Sequence, residues 1–239
     1  SGGGYAEYVN VPATHLLAIP RPIDLQSAAS LPEGCATAYM ALAQLGRLKP
    51  NERVLVHGGA SGTGILIAQV AHAWGAEVMA TVGSEEKCAV MYEHGIRPIN
   101  HGIGPWAEQL MQTTHNEGVH VIVDILGAPQ LATHFKLLKK GGRLVTIALM
   151  EGNVVENLKI SSILMKHLSW SGATLRGKSE AEKAEIIKSV RKTIWPHLAT
   201  GAIRPVVDTV FPLEEAEKAL QLMQERLHIG KILLEVAPN

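Results

Sequence analysis

Little cysteine, few aromatic residues and no net charge mark this 239-residue sequence. Its two cysteines, Cys35 and Cys88, stand far apart and form no CxxC pair. Neither a disulfide framework nor a cysteine zinc site is therefore expected, and a reducing, cytoplasmic setting is. Lys plus Arg and Asp plus Glu both number 22, and a balanced chain carries no electrostatic footprint for nucleic acid or an anionic membrane surface. The four Trp, four Tyr and two Phe form no basic, aromatic-interleaved patch of the kind that stacks on RNA. Hydrophobic residues make up 46%, yet no run approaches the roughly 18 apolar residues of a membrane span. Eleven histidines show no HExxH or other metal spacing, so no metal is expected. The chain opens Ser1-Gly2-Gly3-Gly4-Tyr5 without methionine or signal peptide, which reads as the middle of a longer protein.

What is present is alternation. Between about residues 50 and 175, short β-branched runs are followed by amphipathic stretches. Arg53 to His57 reads as a strand, a glycine cluster follows, and Ile65 to Trp74 repeats apolar residues at helical spacing before Gly75. A second strand is expected over Glu77 to Val82, a helix from Ser84 toward His94, and a short strand at Pro98 to Asn100. Val119 to Leu126 and Arg143 to Leu149 are nearly continuous apolar runs, as in strands covered on both faces. Between them, Gln130 to Lys139 reads as a helix stopped by Gly141-Gly142. Strands alternating with helices give an α/β fold, a doubly wound parallel sheet. The flanks differ: residues 1 to 35 are broken by prolines, and residues 180 to 239 offer a charged helix, a strand-like Ile203 to Phe211, a helix from Leu213 and a strand from Lys231. These flanks are expected to pack together as a second unit.

The chemistry starts at the glycines. A dinucleotide pyrophosphate needs backbone N–H groups at close range and a helix N-terminus aimed at it, which requires residues without bulk. Gly59, Ser61 and Gly64 occupy the three positions of GxGxxG, serine replacing the middle glycine, with Gly62 and Thr63 between them. The setting between strand and helix lifts a weak motif to a Rossmann fingerprint. An NAD site carries an acid at the end of the next strand. Here that strand ends Thr81-Val82-Gly83-Ser84, with Lys87 one turn later, offering a hydroxyl and a cation to a 2′-phosphate. NADPH is favoured, although Glu85 and Glu86 are close enough to repel a phosphate and Ser84 could be a helix cap.

A second motif competes. Gly172 to Ser179 matches GxxxxGK[ST], the phosphate loop of ATPases and GTPases. Against it, the apolar-run acid that would bind magnesium, Asp124, comes earlier in the chain, and Ser179 with Glu182 forms a capping box. The NTPase reading is disfavoured. Gly59 to Thr63 lacks the second glycine of a nucleophile elbow, so a hydrolase has little support.

The stretches GGGYAEYVNVP, LPEGCATAYMAL, VLVHGGASGTG, GSEEK, GGRLVTIALMEG, SGATLRGKS, IRPVVDTVFPLEEAEKALQLM and HIGKILLEV follow one another in an order that resembles the zinc-independent NADPH:quinone oxidoreductases of the medium-chain dehydrogenase/reductase superfamily. The resemblance implies a Rossmann domain over 36–175 inserted in the remnant of a GroES-like β-barrel catalytic domain, to which 1–35 and 176–239 contribute. It implies that Thr37 places a hydroxyl near the nicotinamide, and that Ser61 to Gly64 meet the pyrophosphate. Gly83, Ser84 and Lys87 would meet the 2′-phosphate, with His101 beside the adenosine end. Leu126, Ala148, Leu149 and Met150 would border the nicotinamide, and Arg176 and the Gly230-Lys231 turn are weaker correspondences. It reassigns the phosphate-loop match to the last Rossmann strand and its exit. It further implies a homodimer paired through Ser169–Thr174 and an N-terminal segment preceding Ser1 that carries part of the substrate site. Gly177 departs from the proline of many relatives.

The expected activity is transfer of a hydride from NADPH to a quinone or a similar electron-poor acceptor, without zinc. Two alternatives stand beside it: an enoyl or alkenal double-bond reductase on the same scaffold, and an NADPH-binding module without turnover.

Overall fold

The computed structural model describes residues 3–236. Two short helices lead in, α1 (Leu25–Ala29) and α2 (Pro32–Tyr39), the second continuing through a π-helical segment, Met40–Leu45. The alternating body follows: β1 (Arg53–Val56), α3 (Gly64–Ala73), β2 (Glu77–Val82), α4 (Glu85–Glu93), β3 (Arg97–Asn100), α5 (Trp106–Thr113), β4 (Val119–Asp124), α6 (Leu131–Leu137), β5 (Leu138–Thr146), α7 (Ser161–Lys166) and β6 (Ser169–Gly172). The chain then forms α8 (Glu180–Thr193), α9 (Trp195–Ala199), β7 (Val207–Pro212), α10 (Ala216–Glu225) and β8 (Lys231–Glu235).

The six central strands are parallel and ordered β3-β2-β1-β4-β5-β6, the doubly wound arrangement expected from the alternation. The order reverses between β1 and β4, so the crevice at their carboxyl ends is where such a sheet takes a ligand. Side chains alternate across the sheet. Val54, Val56, Val78, Ala80, Val121 and Val123 enter one core with residues of α2, α3 and α8. Leu55, Met79, Ile122 and Leu144 enter a second core with Leu110 of α5 and Leu131 and Phe135 of α6. Both faces are covered, which is why the strands read as unbroken apolar runs.

The strands β4 and β5 end at Asp124 and Thr146, short of the expected Leu126 and Leu149, β7 starts at Val207 rather than Ile203, and the entry to β5 departs furthest from expectation. The helix before β5 ends at Leu137, and Gly141-Gly142 lies inside the strand rather than behind a helix. The register of β5 against β4 steps from Val119↔Leu138 to Val121↔Arg143, and the glycine pair takes up the extra residues as a bulge. Arg143, just beyond it, is buried and donates to the carbonyls of Gly46 and Arg47 and to the Glu52 carboxylate. That fastens β5 to the chain leading into β1.

The tail divides. Ile186, Val190, Ile194, Leu198 and Ile203 join the first core, against α2 and α3. The strands β7 and β8 pair with each other, and their turn reaches back to the sheet, where Gly230 N donates to Ala60 O at 2.9 Å.

Candidate functional site

The turn between β1 and α3 lies at the carboxyl edge of the sheet beside the β1/β4 switch. It is tight because two glycines are required by their surroundings. A Cβ on Gly59 would meet Ala80 Cβ at 2.5 Å, and one on Gly64 would overlap the Gly58 carbonyl. Ser61, at the middle position, accepts from Gly64 N at 3.0 Å and so shapes the turn from within. Thr63 is the N-cap of α3, yet its side chain makes no capping bond. Gly62 is taken up by the parallel bridge that joins Ser61 to Gly230, but among the described residues the Thr63 amide donates to nothing, leaving an N–H group at the positive end of a helix. This cradle fits a pyrophosphate.

A polar cluster adjoins it. Thr37 is buried on α2 and donates to Glu33 Oε1 at 2.8 Å. The other oxygen of Glu33 lies 3.5 Å from both Thr63 Oγ1 and Lys231 Nζ, and Lys231 donates to Thr63 at 3.1 Å. Thr37 is thus linked through one carboxylate to the turn and to β8. Glu33 and the reach of Lys231 have no local signature, since α2, the turn and β8 meet only in the fold.

Past the end of β2, Gly83, Ser84, Lys87 and His101 come together. Ser84 caps α4 by accepting from Lys87 N at 3.3 Å, so its structural role is realised. His101 lies against Gly83, where a Cβ would meet its ring at 3.1 Å. The Lys87 ammonium donates to the Arg226 carbonyl at 2.6 Å, and burial lowers its pKa. Arg226, in the left-handed region at φ 58°, is a neighbour that only the fold reveals.

At the other end of the crevice, the exits of β4 and β5 are joined: Met150 N donates to Ile125 O and Glu151 N to Leu126 O, both at 2.9 Å. This brings Leu126 beside the segment carrying Ala148, Leu149 and Met150, the last two about half exposed. Asp124 anchors the exit of β4, accepting from Leu126 N at 2.8 Å and Thr146 Oγ1 at 3.1 Å; burial raises its pKa against those bonds. Arg176 is not brought to either cluster. It is exposed on the exit of β6, its amide donating to Thr174 Oγ1. The phosphate-loop match runs from the end of β6 to the start of α8, and Ser179 and Glu182 make both bonds of a capping box there. Lys178 donates to Glu182 instead of pointing into a loop.

Residues 62–190, more than half of the chain, match the family described as zinc-binding dehydrogenase. This chain belongs to that family. Over 98% of its length it superposes on 74% of the quinone oxidoreductase of Thermus thermophilus, a structure that includes an NADPH complex, with TM-score 0.83 and 30% identity. It covers 67% of the CurK enoyl reductase with TM-score 0.77 and 26% identity. It is also 31% identical, over 99% of its length, to the lovastatin diketide synthase lovF of Aspergillus terreus, of which it spans only 10%. Family and fold agree with the medium-chain dehydrogenase/reductase resemblance. The family description names zinc, but among the described residues no group of three or more His, Cys, Asp or Glu could hold a metal ion. The residues present do not fit a zinc site. No helix among the described residues is long and apolar enough to cross a membrane.

Proposed function

We propose that the protein of which this chain is part is a zinc-independent, NADPH-dependent oxidoreductase that reduces quinones or related electron-poor acceptors. The observation that carries the reading is the β1–α3 turn: closed to side chains at Gly59 and Gly64, with the unused Thr63 amide at the start of α3 and the Lys231 ammonium beside it. NADPH, when bound, supplies the hydride.

This chain's residues bind and orient. Thr63 offers its amide to the pyrophosphate, with Ser61, Gly62 and Gly64 holding the turn against it. Gly83, Ser84 and Lys87 form the 2′-phosphate pocket with His101 beside the adenosine end, and no carboxylate stands at the end of β2 to select a free ribose 2′-hydroxyl. Thr37, and Leu126, Ala148, Leu149 and Met150, border the nicotinamide side and limit water there. Thr37 is a hydrogen-bonding group rather than a general acid, because its proton is directed at Glu33. A reduced quinone oxygen can take its proton from solvent. Arg176, exposed beyond β6 and away from both clusters, is given no coenzyme contact. We place the protein in the cytoplasm as a homodimer paired through β6, an open edge of the sheet on which Trp170 is 47% exposed.

The second reading is an enoyl reductase, favoured by the likeness to the CurK enoyl reductase and by the polyketide synthase match. Titration of the full-length protein with NADPH and NADH tests the coenzyme assignment, and tighter binding of NADPH is expected. If NADPH binds but is consumed with neither quinone nor enoyl acceptors, the protein is a binding module without turnover.

A further inference from the structure

Behind the glycine turn lies a buried polar line. Gly58, at φ +65°, donates its amide inward to Thr81 Oγ1 at 3.1 Å. Thr81 Oγ1 lies 3.0 Å from His57 Nδ1, and His57 Nε2 lies 3.0 Å from His134 Nε2. All three side chains are buried, and the Trp106 and His57 rings pack in a T-shaped pair with centroids 4.7 Å apart. His134 Nδ1 is buried without a hydrogen-bond partner among the described residues. We propose that Thr81, backed by His57 and His134, is the positioning residue of the coenzyme turn, fixing the shape in which the turn presents the Thr63 amide. The proposal rests on the reading of that turn as an NADPH site.

Proton counting selects one arrangement. The two Nε2 atoms face each other, so one donates and the other accepts. If Thr81 donates to His57 Nδ1, then His57 donates to His134, and a single group, the Nδ1–H of His134, is left unpaired. In the reverse arrangement both the Thr81 hydroxyl hydrogen and the His134 Nδ1 lone pair are unpaired. Each buried unpaired group is costly, so the first prevails. Thr81 therefore accepts from Gly58 with a lone pair while donating to His57, which only a hydroxyl can do. Burial holds both imidazoles neutral, which keeps the line intact. The amide of the next residue, Gly59, donates to the Thr81 carbonyl at 2.9 Å, so two successive amides of the turn are pinned on one residue of β2. With the hydroxyl gone, the Gly58 amide loses its partner, and binding has to order a turn that was ordered beforehand.

The test uses the full-length protein, with T81V as a near-isosteric variant and T81S as its conservative counterpart. NADPH affinity is read by titration, the split between KM and kcat by steady-state kinetics, and folding by thermal unfolding. T81V is expected to raise Kd and KM for NADPH about tenfold, the scale of one lost hydrogen bond at a buried amide, with a smaller effect on kcat. T81S is expected to bind within about twofold of wild type, again on that scale. His134→Leu, which removes the far support, should fall between them. Equal affinity in T81V and wild type overturns the proposal, as does T81S binding as weakly as T81V, since packing of the methyl group would then be the cause. Failure of wild type itself to bind NADPH overturns the coenzyme reading, and this proposal with it.

Discussion

Lys231 donates from its ammonium to Thr63 Oγ1 at 3.1 Å, joining the last strand of the chain to the residue that opens α3. Its stem lies against Gly62, and Glu33 shares the charge at 3.5 Å. A cation at an uncapped helix N-terminus reinforces its positive potential. K231M is therefore expected to weaken NADPH and NADH alike by about tenfold, through the pyrophosphate they have in common, and the loss should shrink at high salt. Titrations at two ionic strengths check this, and an unchanged affinity removes Lys231 from the site.

In the proposed site, Lys87 is assigned to a different phosphate. Its ammonium is held at the Arg226 carbonyl, beside Ser84 and His101. K87A should abolish the preference for NADPH while leaving NADH affinity near wild type, because only the former carries a 2′-phosphate. If NADH already binds wild type as tightly as NADPH does, the assignment of Ser84 and Lys87 is wrong.

The shape of the turn can be probed by size alone. G64A places a methyl group on the Gly58 carbonyl, an overpacking expected to cost roughly 1–3 kcal/mol. G177A is the control: a Cβ there meets nothing within 4 Å, and the change should stay within about 0.5 kcal/mol. Urea unfolding of the two variants measures both.

The buried histidines make stability depend on pH in a defined direction. Burial lowers the His134 pKa from 6.5 to about 4, and His57 is pushed well down by burial and by the neighbouring His134 and His101. Between pH 6.5 and about 4 the unfolded chain binds protons that the folded chain refuses. Stability is thus full above pH 6.5 and is lost as the pH falls toward 4, by about 3 kcal/mol for His134. Chemical unfolding at pH 7.5 and pH 5, for wild type and His134→Leu, should show a smaller drop in the variant. An equal drop in both would assign the loss to other groups.

How much of this was legible beforehand follows from where the information lies. The strand, turn and helix of residues 53 to 73 are local, and the glycines announce the cradle because their spacing is itself the geometry. Alternation of apolar runs was enough for the parallel sheet. Gly141-Gly142 misled because a glycine pair after an apolar stretch marks a helix end as well as a bulge, and pairing with β4 decides between them. Glu33, Thr81, His134 and Arg226 were invisible, since each becomes functional through a partner at least 23 residues away. For His57 the only hint was its place directly before the glycines.

The account turns on what the full-length protein does with an acceptor. NADPH consumption measured with 1,4-benzoquinone and with a 2-enoyl thioester, at equal concentrations, separates the readings in one assay. Turnover with the quinone is expected, with a kcat/KM well above that for the thioester. Reduction of the thioester alone would contradict the quinone reading and make the protein an enoyl reductase.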